Sequence, residues 1–200
     1  MNFEALTIQA VKSISQRRLL GHWSELAAGN RFPAFADFHV DERMHDPKQL
    51  MIWSIERESG RRRFRAQFHG PRVSEVFRND WVGRTMDEAV PERFRQFALD
   101  TAEECAGSGC AIFSIISTVD GEGQRVDCER LLLPFGNDDR VEQIVSSLQL
   151  ISLKGNFRRS TVLDNYQTVS TVELAGRIAA GFEKPASARA VIEVVTPGAR

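Results

Sequence analysis

The side chains best able to do chemistry are few. His39, Asp41, His45 and Asp46 form the one compact group of metal-ligand types. Imidazole and carboxylate suit zinc or iron. Their spacing matches no established ligand pattern, and Asp41 serves equally as a helix cap, so a structural or surface role is expected. His69 closes an alternating apolar stretch and is expected at a pocket mouth or bonded to backbone. Cys105, Cys110 and Cys128 are odd in number and lack CxxC spacing, which argues against a disulfide framework or a zinc site. Three thiols in a reducing cytoplasm are expected, although Cys105 and Cys110 flank a glycine-rich turn and are placed to pair on oxidation. No Gly-x-Ser-x-Gly, phosphate-binding glycine loop or His-Glu-x-x-His occurs. Ser108, in Gly-Ser-Gly-Cys, reads as a turn residue with no visible base. Asp87 and Glu88 are adjacent acids, but Glu88 is accounted for by a capping box begun at Thr85.

The run Arg61-Arg62-Arg63-Phe64-Arg65 is the densest basic stretch. Nucleic-acid binding would need aromatics interleaved on the same exposed face. Phe64 is expected inward, so the arginines read as a solvated strand edge that discourages edge pairing. The net charge of −1 supplies no bulk attraction to nucleic acid or membrane. A hydrophobic fraction of 42% over 200 residues suits one domain with flanking segments. The start of the chain lacks a basic region followed by an apolar run, and no apolar stretch approaches the ~20 residues that span a bilayer. A soluble, cytoplasmic protein is expected.

The elements that must position these residues follow from periodicity. Residues 2–28 read as helix, in one or two pieces, with Phe3, Leu6, Ala10 and Ile14 on one stripe and Leu19, Leu20, Trp23, Leu26 and Ala27 on another. Such a stripe packs on the domain's own sheet or against a second copy of the chain. Gly29-Asn30 and Phe32-Pro33 end it. Residues 31–49 are an aromatic, ordered connector. Residues 50–56 and 62–69 make a hairpin across Ser59-Gly60, with Phe64, Ala66 and Phe68 on one face. Pro71 to Phe77 is a short helical turn, Thr85 caps another, and Pro91 opens a longer helix to about Gly107. Strands are predicted over 110–119, 125–135 and 141–153, the first two joined by the Asp120-Gly121-Glu122-Gly123 turn. A helix is predicted over 172–182, and the end from Pro185 reads as mobile.

Two strands, a helical middle and three strands make an α+β layer: a five-stranded antiparallel sheet with helices on one face, preceded by an amphipathic helix and followed by an extension. In order and spacing the chain resembles PAS domains, and within them a bacterial family of small single-domain PAS-like proteins without attached catalytic domains. The residues that carry this are Trp23, Leu26, Gly29-Asn30-Arg31 and Pro33. To them are added Trp53-Ser54-Ile55, Phe64 to Gly70, Val82-Gly83-Arg84-Thr85-Met86-Asp87-Glu88, Leu131-Leu132-Leu133-Pro134-Phe135 and Val141-Glu142-Gln143-Ile144. The resemblance covers about residues 18–153. Phe135 and Asn137 depart from the more usual aliphatic residue and Asp-Gly turn.

The resemblance implies a leader over 1–30 that dimerises, a PAS-like domain over 31–154 and an extension over 155–200, partly helical or mobile. It implies a non-enzymatic sensory module in bacterial signalling that binds a small apolar molecule or a signalling protein partner, with no nucleic acid and no membrane. The ligand pocket would involve Trp53, Phe64, Phe68, His69, Phe77, Trp81, Met86, Phe94, Phe97, Phe113 and Leu133. Haem is disfavoured because residues 71–107 contain no His. Flavin photochemistry is disfavoured because Cys105 lacks the Asn-Cys-Arg-Phe context. No cofactor is expected, and no catalytic or metal-binding residue is assigned. Two rivals remain: a small isomerase- or dehydratase-like enzyme using His69 or Asp87, and a ligand-free interaction domain.

Overall fold

The computed structural model describes residues 2–42, 45–137, 140–152, 157, 159, 162 and 171–180. Strand β1 is Glu4–Ala5, helix α1 is Ile14–Ala27, and the hairpin is β2 (Leu50–Glu58) and β3 (Arg61–His69). Helices α2 (Pro71–Phe77), α3 (Met86–Ala89) and α4 (Glu92–Ser108) follow. Strands β4 (Ala111–Val119), β5 (Arg125–Asn137), β6 (Arg140–Ile151) and β7 (Thr171–Ile178) complete the described elements. The molecule is α+β, built on one mixed seven-stranded sheet in the order β1-β7-β4-β5-β6-β2-β3.

Local signals act where they were read. Ser59 and Gly60 both take positive φ, which lets β2 return as β3 in a two-residue turn. Asp120 Oδ1 accepts from the backbone N–H groups of Glu122 and Gln124, closing the β4–β5 turn. The Thr85 N–H donates to Glu88 Oε2 at 3.0 Å in the predicted capping box. The segment around Gly83-Arg84-Thr85 pairs with the outer edge of β3, through Ala66 N–H to Arg84 O and Gly83 N–H to Ala66 O. Part of that edge is thereby covered. The arginines beside it are paired: Arg65 with Glu56, Arg63 with Glu58 and Arg62 with Glu103.

Four expectations are corrected. The sheet has seven strands rather than five, because β7 adds to the free edge of β4 and β1 to that of β7. The helix predicted over 172–182 is a strand where it is described: Thr171–Ile178 pairs antiparallel with β4, and residues 181 and 182 lie outside the described residues. A side chain at Gly176 would run into Leu6 Cγ and meet Glu4 O at 2.6 Å, so glycine there allows β1 to lie close. Pairing with an exposed strand edge outweighs a weak helical pattern. The predicted helix over 2–28 survives only as α1, since Glu4–Ala5 is strand and Ile8–Ala10 a single 3-10 turn. Ser13 caps α1, accepting from Gln16 N–H. Finally, Phe68 is not inward. The β2–β3 register passes from Ile52–Phe68 to Trp53–Ala66, leaving Gln67 as the extra residue of a bulge. The bulge turns Phe68 out, 38% exposed, and turns His69 in.

The sheet carries helices on both faces. Met51, Trp53, Ile116, Cys128, Arg130, Leu148 and Leu150 face α2 and α4 across the cavity described below. By strand alternation Phe113, Leu131, Leu133 and Phe135 point to the opposite face. That face is covered by α1, whose Leu19, Leu20 and Trp23 are buried. Trp23 Nε1–H donates to Pro134 O at 2.7 Å. Phe135 meets Phe35 edge-on at 5.7 Å and Phe38 at 5.1 Å. The apolar stripe of α1 is therefore covered by the chain's own sheet.

Candidate functional site

Between the sheet and α2–α4 lies a cavity that leaves about 70 Å³ for the centres of water-sized molecules. The wall is almost wholly apolar: Trp53 and Met51 from β2, Val76 and Phe77 from α2, and Trp81 from the loop. Val90 and, on α4, Phe94, Phe97 and Ala98 close another side, with Leu148 and Leu150 from β6 and Val162 beyond it. Short helices at differing angles cannot fill a curved sheet as one long ridge would, and a gap remains. Trp53 Nε1–H donates to Ser146 Oγ, and Trp81 stacks between Phe77 at 4.4 Å and His69 at 4.9 Å.

Five of the eleven residues expected at a pocket line this one: Trp53, Phe77, Trp81, Phe94 and Phe97. Phe64 and Met86 are buried in the same layer but do not border the cavity. His69 lies behind Trp81. Phe113 and Leu133 are on the α1 face, and Phe68 is outside. For Phe113 and Leu133 the reason is that alternation assigns parity, but a strand buried on both faces does not say which parity faces the helices; Phe68 is turned out by the Gln67 bulge.

Among the described residues, one charged side chain lines the cavity, Arg130 of β5. Nothing in the pocket reading anticipated it. The available signal was an arginine inside the Cys128-to-Phe135 run of a strand buried on both faces. Its Nη1–H donates to Thr101 Oγ1 at 2.8 Å. The Thr101 hydroxyl donates in turn to the carbonyls of Phe97 and Ala98, 2.9 and 3.0 Å away. No carboxylate pairs with Arg130 among the described residues. Desolvation brings the guanidinium down to about 10, even with part of its surface open to the cavity. Ser114 sits directly across β4–β5 from Arg130, and its Oγ is buried without a hydrogen-bond partner. Cys128 also lines the cavity; burial pushes its thiol up to about 12, and burial raises Cys105 as well. Neither is a ready thiolate nucleophile.

The other chemical candidates are spent locally. Burial lowers the pKa of His69, whose Nδ1 is 2.8 Å from Ser74 Oγ. Asp87 lies on the outside. Burial works to raise its pKa but is outweighed by hydrogen bonds from Thr85 and its own backbone and by Arg63 and Arg95, so the carboxyl sits below its ordinary value. His39 Nδ1 contacts Asp37 O. Asp46 accepts from Lys48 N–H and from Gln49 Nε2–H, and pairs with Arg72. His45 stacks with Phe38 and His22 under α1. Among the described residues, no group of three or more His, Cys, Asp or Glu could hold a metal ion, and no helix is long and apolar enough to cross a membrane. No family model, curated protein or solved structure matches this chain.

Proposed function

We propose that this chain is a non-enzymatic PAS-like sensory module that binds a small, mostly apolar molecule between its sheet and α2–α4. The observation that carries the reading is the apolar cavity on the helical side of the sheet. The strand order supports it. Within the seven strands, β3-β2-β6-β5-β4 is an antiparallel run with the helices inserted between the second and third strands of the sequence order. That is the arrangement to which the sequence bears resemblance. The described residues also favour binding over catalysis, since among them no acid, base or thiolate lines the cavity beside Arg130. A bacterial signalling role in the cytoplasm, as a homodimer or with a protein partner, belongs to the same reading. A dimer through α1 would use its outer side, where Ile14 is exposed beside Arg17, Arg18 and His22.

Native mass spectrometry of freshly purified protein, with an absorption spectrum, tests this. A bound small mass released on denaturation is expected, without a visible band. An empty protein that binds no small apolar molecule would remove the ligand half of the reading and leave an interaction domain. A visible chromophore would overturn the rejection of haem and flavin.

A further inference from the structure

The cavity combines an apolar wall with one cation that has no counter-charge among the described residues. A guanidinium has five N–H donors in a planar fork. In Arg130 one donor reaches Thr101 Oγ1, whose own hydrogen is committed to the α4 carbonyls. Directly across the strand pair, the Ser114 hydroxyl is buried and unbonded. Burying a cation without a partner is costly, and so is burying an idle hydroxyl. Ser114 does not border the cavity, so the cost that a guest can relieve is that of Arg130, whose remaining donors an anion in the cavity would meet. Beyond Arg130 and the Cys128 thiol, the described wall, including Trp53, Phe94, Ile116 and Leu148, offers only apolar contact.

We infer that the cavity takes a short-chain apolar monocarboxylate, its carboxylate held by the Arg130 guanidinium, its chain lying among the aromatic and aliphatic wall residues. This rests on the ligand-binding reading above and names the class of ligand. A single guanidinium suits one negative charge; among the described residues, no lysine or second arginine borders the cavity to neutralise a phosphate dianion. Size also selects. One water needs roughly 10–15 Å³ by a comparable measure, so the space admits roughly five to seven heavy atoms. Pentanoate has that size. The neighbouring thiols of Cys105 and Cys128, neutral at physiological pH, do not compete for the cation.

Isothermal titration of the full chain with pentanoate and with 1-pentanol, which has the same chain and no charge, decides the matter. Pentanoate is expected to bind at least about tenfold more tightly, the scale of one charge-assisted hydrogen-bonded contact. Arg130→Met is expected to bring pentanoate to the level of pentanol without weakening pentanol. Equal binding of the two compounds to the unaltered protein would overturn the inference while leaving the apolar pocket standing. Binding of neither would also overturn it, and the mass spectrum would then decide the broader reading separately. The comparison on unaltered protein holds even if Arg130→Met does not fold.

Discussion

The two faces of the sheet are built from similar residues and differ in how they are filled. Under α1, one regular helix lays Leu19, Leu20 and Trp23 on Leu131, Leu133 and Phe135, and a tryptophan hydrogen bond to Pro134 O fixes the register. Polar groups there tie the helix down: Gln16 Nε2–H donates to the carbonyls of Glu129 and Ser147, and Glu129 accepts from Ser13 N–H. On the other face three helices of 7, 4 and 17 residues meet the sheet at different places and leave a cavity with an arginine in its wall. The first face spends its contacts on stability. The second gives up part of that packing and gains room for a guest. Regular, continuous helix packing closes an interface, and interrupted helices leave one open.

The largest test of this contrast is truncation on each side. Trp23→Ala removes a fully buried indole and leaves Pro134 O without its donor; unfolding in urea is expected to show a loss of about 3–5 kcal/mol. Phe97→Ala, at the cavity wall, is expected to cost less than about 2 kcal/mol because that ring already borders empty space. Comparable losses would erase the difference between the faces.

Enlargement sharpens it from the other direction. Ala27→Leu on α1 is expected to overpack and cost about 1–3 kcal/mol. Ala98→Leu points into the cavity and is expected to change stability by less than about 1 kcal/mol while abolishing binding of a small guest. A thermal-shift measurement of both variants reads the first effect and a titration the second.

A smaller contrast concerns pH. Burial lowers the pKa of His45 under α1, helped by His22, and of His69 behind Trp81. Each is held neutral in the folded chain, so the unfolded chain takes up its proton first. Stability is therefore expected to fall as pH drops below about 6.5, the ordinary imidazole value, towards the folded pKa values. Glu129 has the opposite sense. Burial raises its carboxyl, partly offset by the Ser13 N–H and Lys12. Its contribution is full below the ordinary glutamate value and is lost as pH rises through the folded one. Glu129→Gln is thus expected to match or exceed the unaltered protein at pH 7, by roughly 1 kcal/mol or less. A pH series of urea unfolding midpoints checks both signs. Smallest of all, Ser114→Ala without ligand should be neutral or stabilising by up to about 1 kcal/mol, since the hydroxyl bonds nothing.

How much of this was legible in the sequence depended on range. The β2–β3 hairpin, the Thr85 capping box, α4 and the Asp120 turn rest on neighbours a few residues apart, and they are where the pattern puts them. The placement of Phe68 and His69 turns on one extra residue, Gln67, which no local pattern announces. Phe113 and Leu133, expected at a pocket, point to the α1 face; β4 and β5 are buried on both sides and show no alternation of polar and apolar residues that would tell the faces apart. The strand at Thr171–Ile178 exists through pairing with β4, more than fifty residues earlier in the chain, and its own pattern is equally compatible with helix. Arg130 was visible as a charge in a buried strand, but only the sheet register shows that it shares a face with Trp53 and Ile116.

The central claim is that a guest enters on the α2–α4 side of the sheet and not on the α1 side. Methyl-labelled NMR during a pentanoate titration tests it directly. The account predicts shifts concentrated at Ile116, Leu148, Leu150, Val76 and Val90, which line the cavity, with Leu19, Leu20, Leu131 and Leu133 unmoved. Shifts of equal size on both faces, or confined to the α1 face, would contradict it.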